Sequence, residues 1–203
     1  MQVLERLGYP AGATVAVVHA DDVGMSHAAN VGAFAALDAG PATCASVMVP
    51  CPWFGEAAEM ARARPDVDLG VHLTLNAEFD GYRWGPVAGR TAVPSLVDEA
   101  GHLHRTSRET VESGSAADVR TELRAQIDAA LAAGIDVTHL DSHMGTVFHP
   151  KFFEVYLELG REYELPLFLP RMEGLRPDPD GFIVFDGFDA DSLDFEPGDG
   201  RAH

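Results

Sequence analysis

Short apolar runs alternate along this chain with stretches of helical spacing, and that alternation constrains the fold more than any other feature. TVAVVHA (14–20), ATCASVMVP (42–50), VDLGVHLTL (67–75), IDVTHLDS (135–142) and residues 165–170 read as strands, with GFIVF (181–185) as one more. Between them, residues 27–39, 54–64, 116–134 and 150–163 carry apolar side chains at helical spacing. Gly40-Pro41 stops the first of these helices and Gly134 closes the third. Strand and helix in repeated alternation call for a parallel sheet with crossover helices, either an open doubly wound sheet or a barrel. No GxGxxG or GxxxxGK follows the first strand, which argues against a nucleotide-binding version. Residues 76–115 break the rhythm. A stretch this long, holding Gly81, Tyr82, Trp84, Gly85 and Pro86, is expected to be either disordered or functional, with a short hairpin at 95–105.

The charge balance narrows the partners. With 32 acidic residues against 14 basic ones the net charge is −18, so nucleic acids and anionic membrane surfaces are repelled and a neutral ligand fits better. Nine of the acids, against two arginines, lie in residues 173–203, which read as a solvated acidic tail. The 203 residues are enough for one sizeable core and short of two ordinary domains. Cys44 and Cys51 form no CxxC pair or disulfide framework and read as two buried thiols. No basic segment precedes a long apolar stretch at the N-terminus, and no apolar run approaches the roughly 20 residues that cross a bilayer. The expected location is the cytoplasm.

Chemistry concentrates at the ends of three strands. HADDVGMS (19–26) sets the carboxylates of Asp21 and Asp22 side by side after an apolar run. Adjacent anions repel and lose hydration on burial, so a cation or a set of donors is expected beside them. The strand GVHLTLN puts His72, Thr74 and Asn76 on one face, and THLDSH puts His139, Asp141 and His143 on another. A lone histidine among apolar neighbours reads as a neutral core residue. Several at corresponding ends of separate strands fit a metal site, because ligands bind beyond the C-terminal ends of parallel strands. Asp22, His72 and His143 would supply one carboxylate oxygen and two imidazole nitrogens and leave positions open for water and substrate. Asp21 is then the candidate general base. Asp141, and His139 on the same face, would orient an imidazole from behind. The set suits zinc, and a water-rich site could take magnesium or manganese. No GxSxG elbow, HExxH helix or adjacent Cys–His pair offers a competing chemistry, and Ser26 and Ser142 read as turn, cap or strand hydroxyls.

Together HADDVGMS, LGVHLTL and THLDSH, with ATCASVMVP and the helix ELRAQIDAALAAG, resemble in order and separation the motifs of the YdjC-like carbohydrate deacetylases, the family of chitooligosaccharide deacetylase, over residues 14–171. The resemblance implies a distorted TIM-barrel-like (β/α) barrel that removes N-acetyl groups from amino sugars with a divalent metal ion, Mg2+ or Zn2+. It implies Asp22, His72 and His143 as metal ligands and Asp21 as base, in a metal-assisted amide hydrolysis that releases acetate. Tyr82 and Trp84 then either stack on a sugar ring or anchor the loop, and Arg171 joins the substrate-binding set.

Three departures stand out. The family pattern D-S-H-x-H becomes Asp141-Ser142-His143-Met144-Gly145, without the second histidine, and His149 reads as a helix-start residue. The family's later His-Pro motif, which resembles a catalytic acid, has no counterpart after Pro150. The finish FEPGDGRAH is unlike the family. The expectation is a single deacetylase-like domain over residues 1–203, incomplete at its C-terminal end, whose exposed sheet edge makes a homodimer plausible. The alternative is a non-catalytic carbohydrate-binding protein with a retained metal pocket. A sugar isomerase on a similar barrel would require more carboxylates at strand ends.

Overall fold

Four strands, β1 (His19–Val23), β2 (Cys44–Val47), β3 (Leu69–Leu73) and β4 (Val137–Ser142), lie parallel in the order β1-β2-β3-β4. The computed structural model describes residues 3–169, and its strands and helices belong to the unit formed by residues 1–168. Arg171, the strand expected at 181–185 and the acidic stretch 173–203 lie outside the described residues.

Helices α2 (His27–Ala39), α3 (Phe54–Ala63), α5 (Ala116–Ala132) and α6 (Pro150–Glu162) fall where the apolar spacing predicts them; the four-residue helix α1 (Val3–Arg6) precedes the sheet. Their ends follow local chemistry. Ser26 caps α2 by accepting from the Ala29 amide at 3.0 Å, and Gly40 ends it in the left-handed region at φ 87°. Ser115 caps α5 through the Asp118 amide at 3.1 Å. Pro150 opens α6, and His149 accepts there from the Lys151 amide at 3.2 Å, the helix-start role expected of it.

Alternation along the strands gives the sheet two unlike faces. Leu69, Val71 and Leu73 of β3 are buried on one side, with Val47 and Leu140 in register with Val71, and α5 packs on β3. The other side is polar: Cys44 and Ser46 of β2, Gly70 and His72 of β3, and His139 and Asp141 of β4, with His19 of β1 beside Cys44. His72, His139 and Asp141 therefore share one face of the sheet.

Three expectations change. The run 14–20 pairs only from His19, because β2 offers no strand edge upstream of Thr43. Val15, Val17 and Val18 remain 43, 49 and 50% exposed. The strand expected at 165–170 is a single parallel bridge, Leu140 with Leu167, flanked by bonds from Leu140 N to Pro166 O and from Phe168 N to Leu140 O, each 2.9 Å. Among the described residues the sheet is an open one and does not close into a barrel.

The stretch 76–115 is ordered through polar anchors. The Arg83 guanidinium donates to Asp98 at 2.6 Å, and the buried Glu122 carboxylate accepts from the Val87 and Ala88 amides at 2.9 Å each. The expected hairpin is present as an antiparallel bridge between Val97 and Leu103. A further helix, α4 (Ser107–Ser113), begins with a capping box formed by Thr106 and Glu109.

Gly24 holds the turn after β1 at φ 92°. Its amide donates to Asn30 Oδ1 at 2.6 Å, and a Cβ there would sit 3.0 Å from the Met48 carbonyl oxygen. Gly24→Ala is expected to lower unfolding free energy by about 1–3 kcal/mol. Urea denaturation reads this directly, and an unchanged midpoint would contradict it.

Candidate metal centre

The C-terminal ends of β1, β3 and β4 bring Asp22, His72 and His143 together. One ligand atom from each lies within 4.8 Å of the others. Each reaches this point differently. His72 stands on the polar face of β3, in register with Asp141. Asp22 adopts a left-handed φ of 62°, within the irregularity of β1 between Ala20 and Val23. His143 follows β4 at the start of a short 3-10 segment, His143–Phe148, broken at Met144 and Gly145 by φ values of 53 and 63°.

Asp22 Oδ1 is buried and has no hydrogen-bond partner. It faces His143 Nδ1 at 3.2 Å and His72 Nε2 at 3.5 Å. A buried carboxylate oxygen with no donor, met by two ring nitrogens, is a donor set that fits a divalent cation.

Each imidazole has an acidic neighbour on its other nitrogen. His72 Nδ1 lies 2.9 Å from Asp141 Oδ2, and Asp141 Oδ2 also accepts from Ser46 Oγ at 2.9 Å. His143 Nε2 lies 3.2 Å from Glu78 Oε2. Carboxylates in this position fix ring orientation and strengthen the nitrogen as a ligand. Asp141 stands beside the His72 ring on the side away from Asp22. Glu78 escapes the sequence reading, because it stands in an irregular stretch; its only sequence signal is that it follows the GVHLTLN strand by two residues.

Charge is balanced within the cluster. Burial opposes a proton on His72, but Asp141 and Asp22 outweigh it and raise its pKa to about 10. Burial likewise disfavours charge on His143, which Asp22 and Glu78 override, raising it. Burial would raise the Asp22 carboxyl, yet His143 and His72 hold it well below the usual carboxylate range.

The other expected residues are distributed around this trio. Asp21 is 57% exposed, with Oδ1 2.6 Å from His19 Nδ1. His139 is not brought against either ligand histidine; its Nε2 meets His19 Nε2 at 3.0 Å. The Tyr82 hydroxyl donates to the Met25 carbonyl at 2.6 Å, tying the loop to the turn beyond Asp22. Trp84 is a loop anchor and no stacking surface: it is 3% exposed and donates from Nε1 to the Asn76 carbonyl at 2.9 Å. The exposed aromatic of this stretch is Phe79, next to Glu78.

Comparison with known proteins agrees in one direction. A family profile described as YdjC-like protein matches residues 15–189. A carbohydrate deacetylase from Thermus thermophilus is 42% identical over 180 residues, covering 88% of this chain and 62% of that protein. Another from Thermoanaerobacter pseudethanolicus is 30% identical, covering 74% of this chain and 58% of that protein. A crystal structure from Enterococcus faecalis V583, described as a cellobiose-phosphate cleavage protein, has a TM-score of 0.70 at 34% identity, over 78% of this chain and 59% of that one. The chain thus spans about three fifths of the length of these curated relatives.

Two outcomes follow for metal uptake. Because acidic neighbours raise the pKa of His72 and His143, a cation competes with protons for both rings, and affinity is expected to rise with pH and to fall as pH drops. Calorimetric titration in buffers of different ionisation enthalpy measures both the affinity and the released protons. Glu78→Gln is expected to weaken binding about 10- to 100-fold in the same titration, and unaltered affinity would remove Glu78 from the centre.

Proposed function

The chain belongs to the YdjC-like family, and on that premise we propose that it is a metal-dependent hydrolase that removes acetyl groups from N-acetylated sugars or short oligosaccharides. The observation that carries this reading is the buried Asp22 Oδ1, which lacks a hydrogen-bond donor and faces two imidazole nitrogens. A fold that is part of a distorted TIM-barrel-like (β/α) barrel is consistent with these groups standing at the C-terminal strand ends. In this reading residues 76–115 form the substrate side of the site, with Phe79 and Tyr82 as its accessible aromatic rings.

Asp22, His72 and His143 would hold a divalent ion, Mg2+ or Zn2+, which when bound supplies Lewis-acid polarisation of the acetyl carbonyl and a lowered pKa for water. Asp141 and Glu78 keep the two imidazoles turned toward that point. Asp21 accepts the proton that the attacking water loses as its oxygen adds to the carbonyl carbon. The C–N bond then breaks as the proton held by Asp21 passes to the sugar nitrogen, giving the free amine, and acetic acid leaves and ionises to acetate. The bond from His19 Nδ1 fixes the Asp21 carboxylate while one of its oxygens works as the base. The excess of acidic side chains suits a neutral glycan better than an anionic one.

A non-catalytic carbohydrate-binding protein is the rival reading, favoured by the engagement of Asp21 with His19. Acetate release from N-acetylglucosamine oligomers, with zinc or magnesium added, separates the two. His72→Ala and His143→Ala are expected to abolish metal uptake at the Asp22 centre and turnover together. Asp21→Asn is expected to retain the metal and lose about 10²- to 10⁴-fold in kcat. Normal metal content in the two histidine variants, or glycan binding without acetate, would reject the hydrolase.

A further inference from the structure

Beneath the centre just described, on the same polar face, a second group of donors meets. His19 of β1, Cys44 of β2 and His139 of β4 each offer one ligand atom, and these atoms lie within 4.8 Å of one another. His19 and Cys44 are register partners on adjacent strands. His139 reaches them from β4, two strands from β2 and three from β1, by leaning across β3. It does so over Gly70, where a Cβ would fall 2.5 Å from His139 Nε2. Gly70 is therefore what allows the three to converge.

The hydrogen bonds around the two rings fix where their protons sit. His19 Nδ1 lies 2.6 Å from Asp21 Oδ1, which can only accept. His139 Nδ1 lies 2.9 Å from Thr138 Oγ1 and 3.3 Å from Asp68 Oδ1. The Thr138 hydroxyl donates to Asp68, so toward His139 it accepts. The network thus assigns the ring proton to Nδ1 in both residues. Both Nε2 atoms then direct lone pairs at each other across 3.0 Å. Two lone pairs in that arrangement repel unless a cation lies between or beside them.

We propose that His19, Cys44 and His139 form a second metal site, distinct from the Asp22 centre, that takes a zinc-class ion and clips β1, β2 and β4 together. Two imidazoles and a sulfur are a borderline-to-soft set, which favours zinc over magnesium. Asp21 and Asp68 stand behind the two rings as carboxylates do behind zinc-bound histidines. Asp141 connects the layers: its Oδ2 is 3.7 Å from His19 Nε2 and 2.9 Å from His72 Nδ1, and its Oδ1 is buried without a hydrogen-bond partner. Burial, with Asp68, Asp141 and Asp21 nearby, pushes the Cys44 thiol up to about 11. Binding therefore displaces one proton, from Cys44 to solvent, as the Sγ–metal bond forms; the imidazoles already present free Nε2 atoms. The proposal does not depend on the hydrolase reading, since it uses none of the three ligands of the Asp22 centre.

Cobalt(II) and zinc titrations of the whole chain test it. Wild type is expected to bind a second equivalent beyond the Asp22 centre and to show a cobalt–thiolate charge-transfer band. His72→Ala combined with His143→Ala should keep that band and still melt at higher temperature when zinc is added. Cys44→Ala should lose both the band and the second equivalent, Cys51→Ala should keep them, and magnesium should compete for neither. Gly70→Ala, which drives a methyl group into the His139 ring, should also lose the second equivalent with Cys44 intact. A wild-type spectrum without a thiolate band means that a shared proton, and no metal, joins the rings. That result overturns the proposal whatever the variants do, as does a band that survives Cys44→Ala.

Discussion

The site rests on the need of a buried carboxylate oxygen for positive charge. Asp22 Oδ1 is enclosed, lacks a donor, and has two ring nitrogens within 3.5 Å. The two imidazoles stand between that oxygen and the carboxylates of Asp141 and Glu78, and these acidic neighbours pull both upward in pKa against the effect of burial. Without positive charge at this point, the carboxylates of Asp22, Asp141 and Glu78 would stand around it uncompensated. The strands beneath serve to keep these three groups from relaxing apart: β1 and β3 are separated by β2, β4 closes on β3, and the register places His72 against Asp141.

Asp141 is the residue on which the polar face turns. One of its oxygens receives Ser46 and touches His72, while the same atom lies within ion-pair reach of His19. The face is thereby a continuous run of acids and imidazoles, from Asp68 through His139 and His19 to Asp141, His72, Asp22 and Glu78 by way of His143. Such a chain is far from the apolar interior that a parallel sheet ordinarily carries on both faces.

Much of this is legible in the residues alone. Period-two alternation puts His72 on a common face with Thr74, and the DD pair at a strand end calls for a cation or donors, so Asp22, His72 and His143 stand out as candidates at strand ends. What escapes is whatever depends on irregular backbone. Glu78 lies beyond the strand, and its approach to His143 depends on the irregular backbone that follows β3. The α4 helix is announced by the Thr106–Glu109 capping box yet hidden within a stretch lacking apolar rhythm. The valines of 14–18 have the composition of a strand, yet strand pairing with β2 begins only at His19, beyond the bond from the Thr43 amide to the Val18 carbonyl, a boundary that no local pattern encodes. Trp84 is ambiguous because an aromatic in a loop looks the same whether it anchors or stacks. His139 reads as a neighbour of His143 by spacing, and only the missing side chain of Gly70 explains why it leans the other way.

The left-handed backbone of Asp22, at φ 62°, sets residue 22 apart from its surroundings. A side chain in that region is disfavoured relative to glycine, by roughly 1 kcal/mol, and less for aspartate than for most. Conformational preference and chemistry therefore pull in opposite directions at one position. A descendant released from the need for an anion there would become more stable by drifting to glycine, and would keep its sheet and helices unchanged. The identity of this single residue, more than the preservation of the architecture, thus marks whether a lineage keeps the anionic partner of His72 and His143.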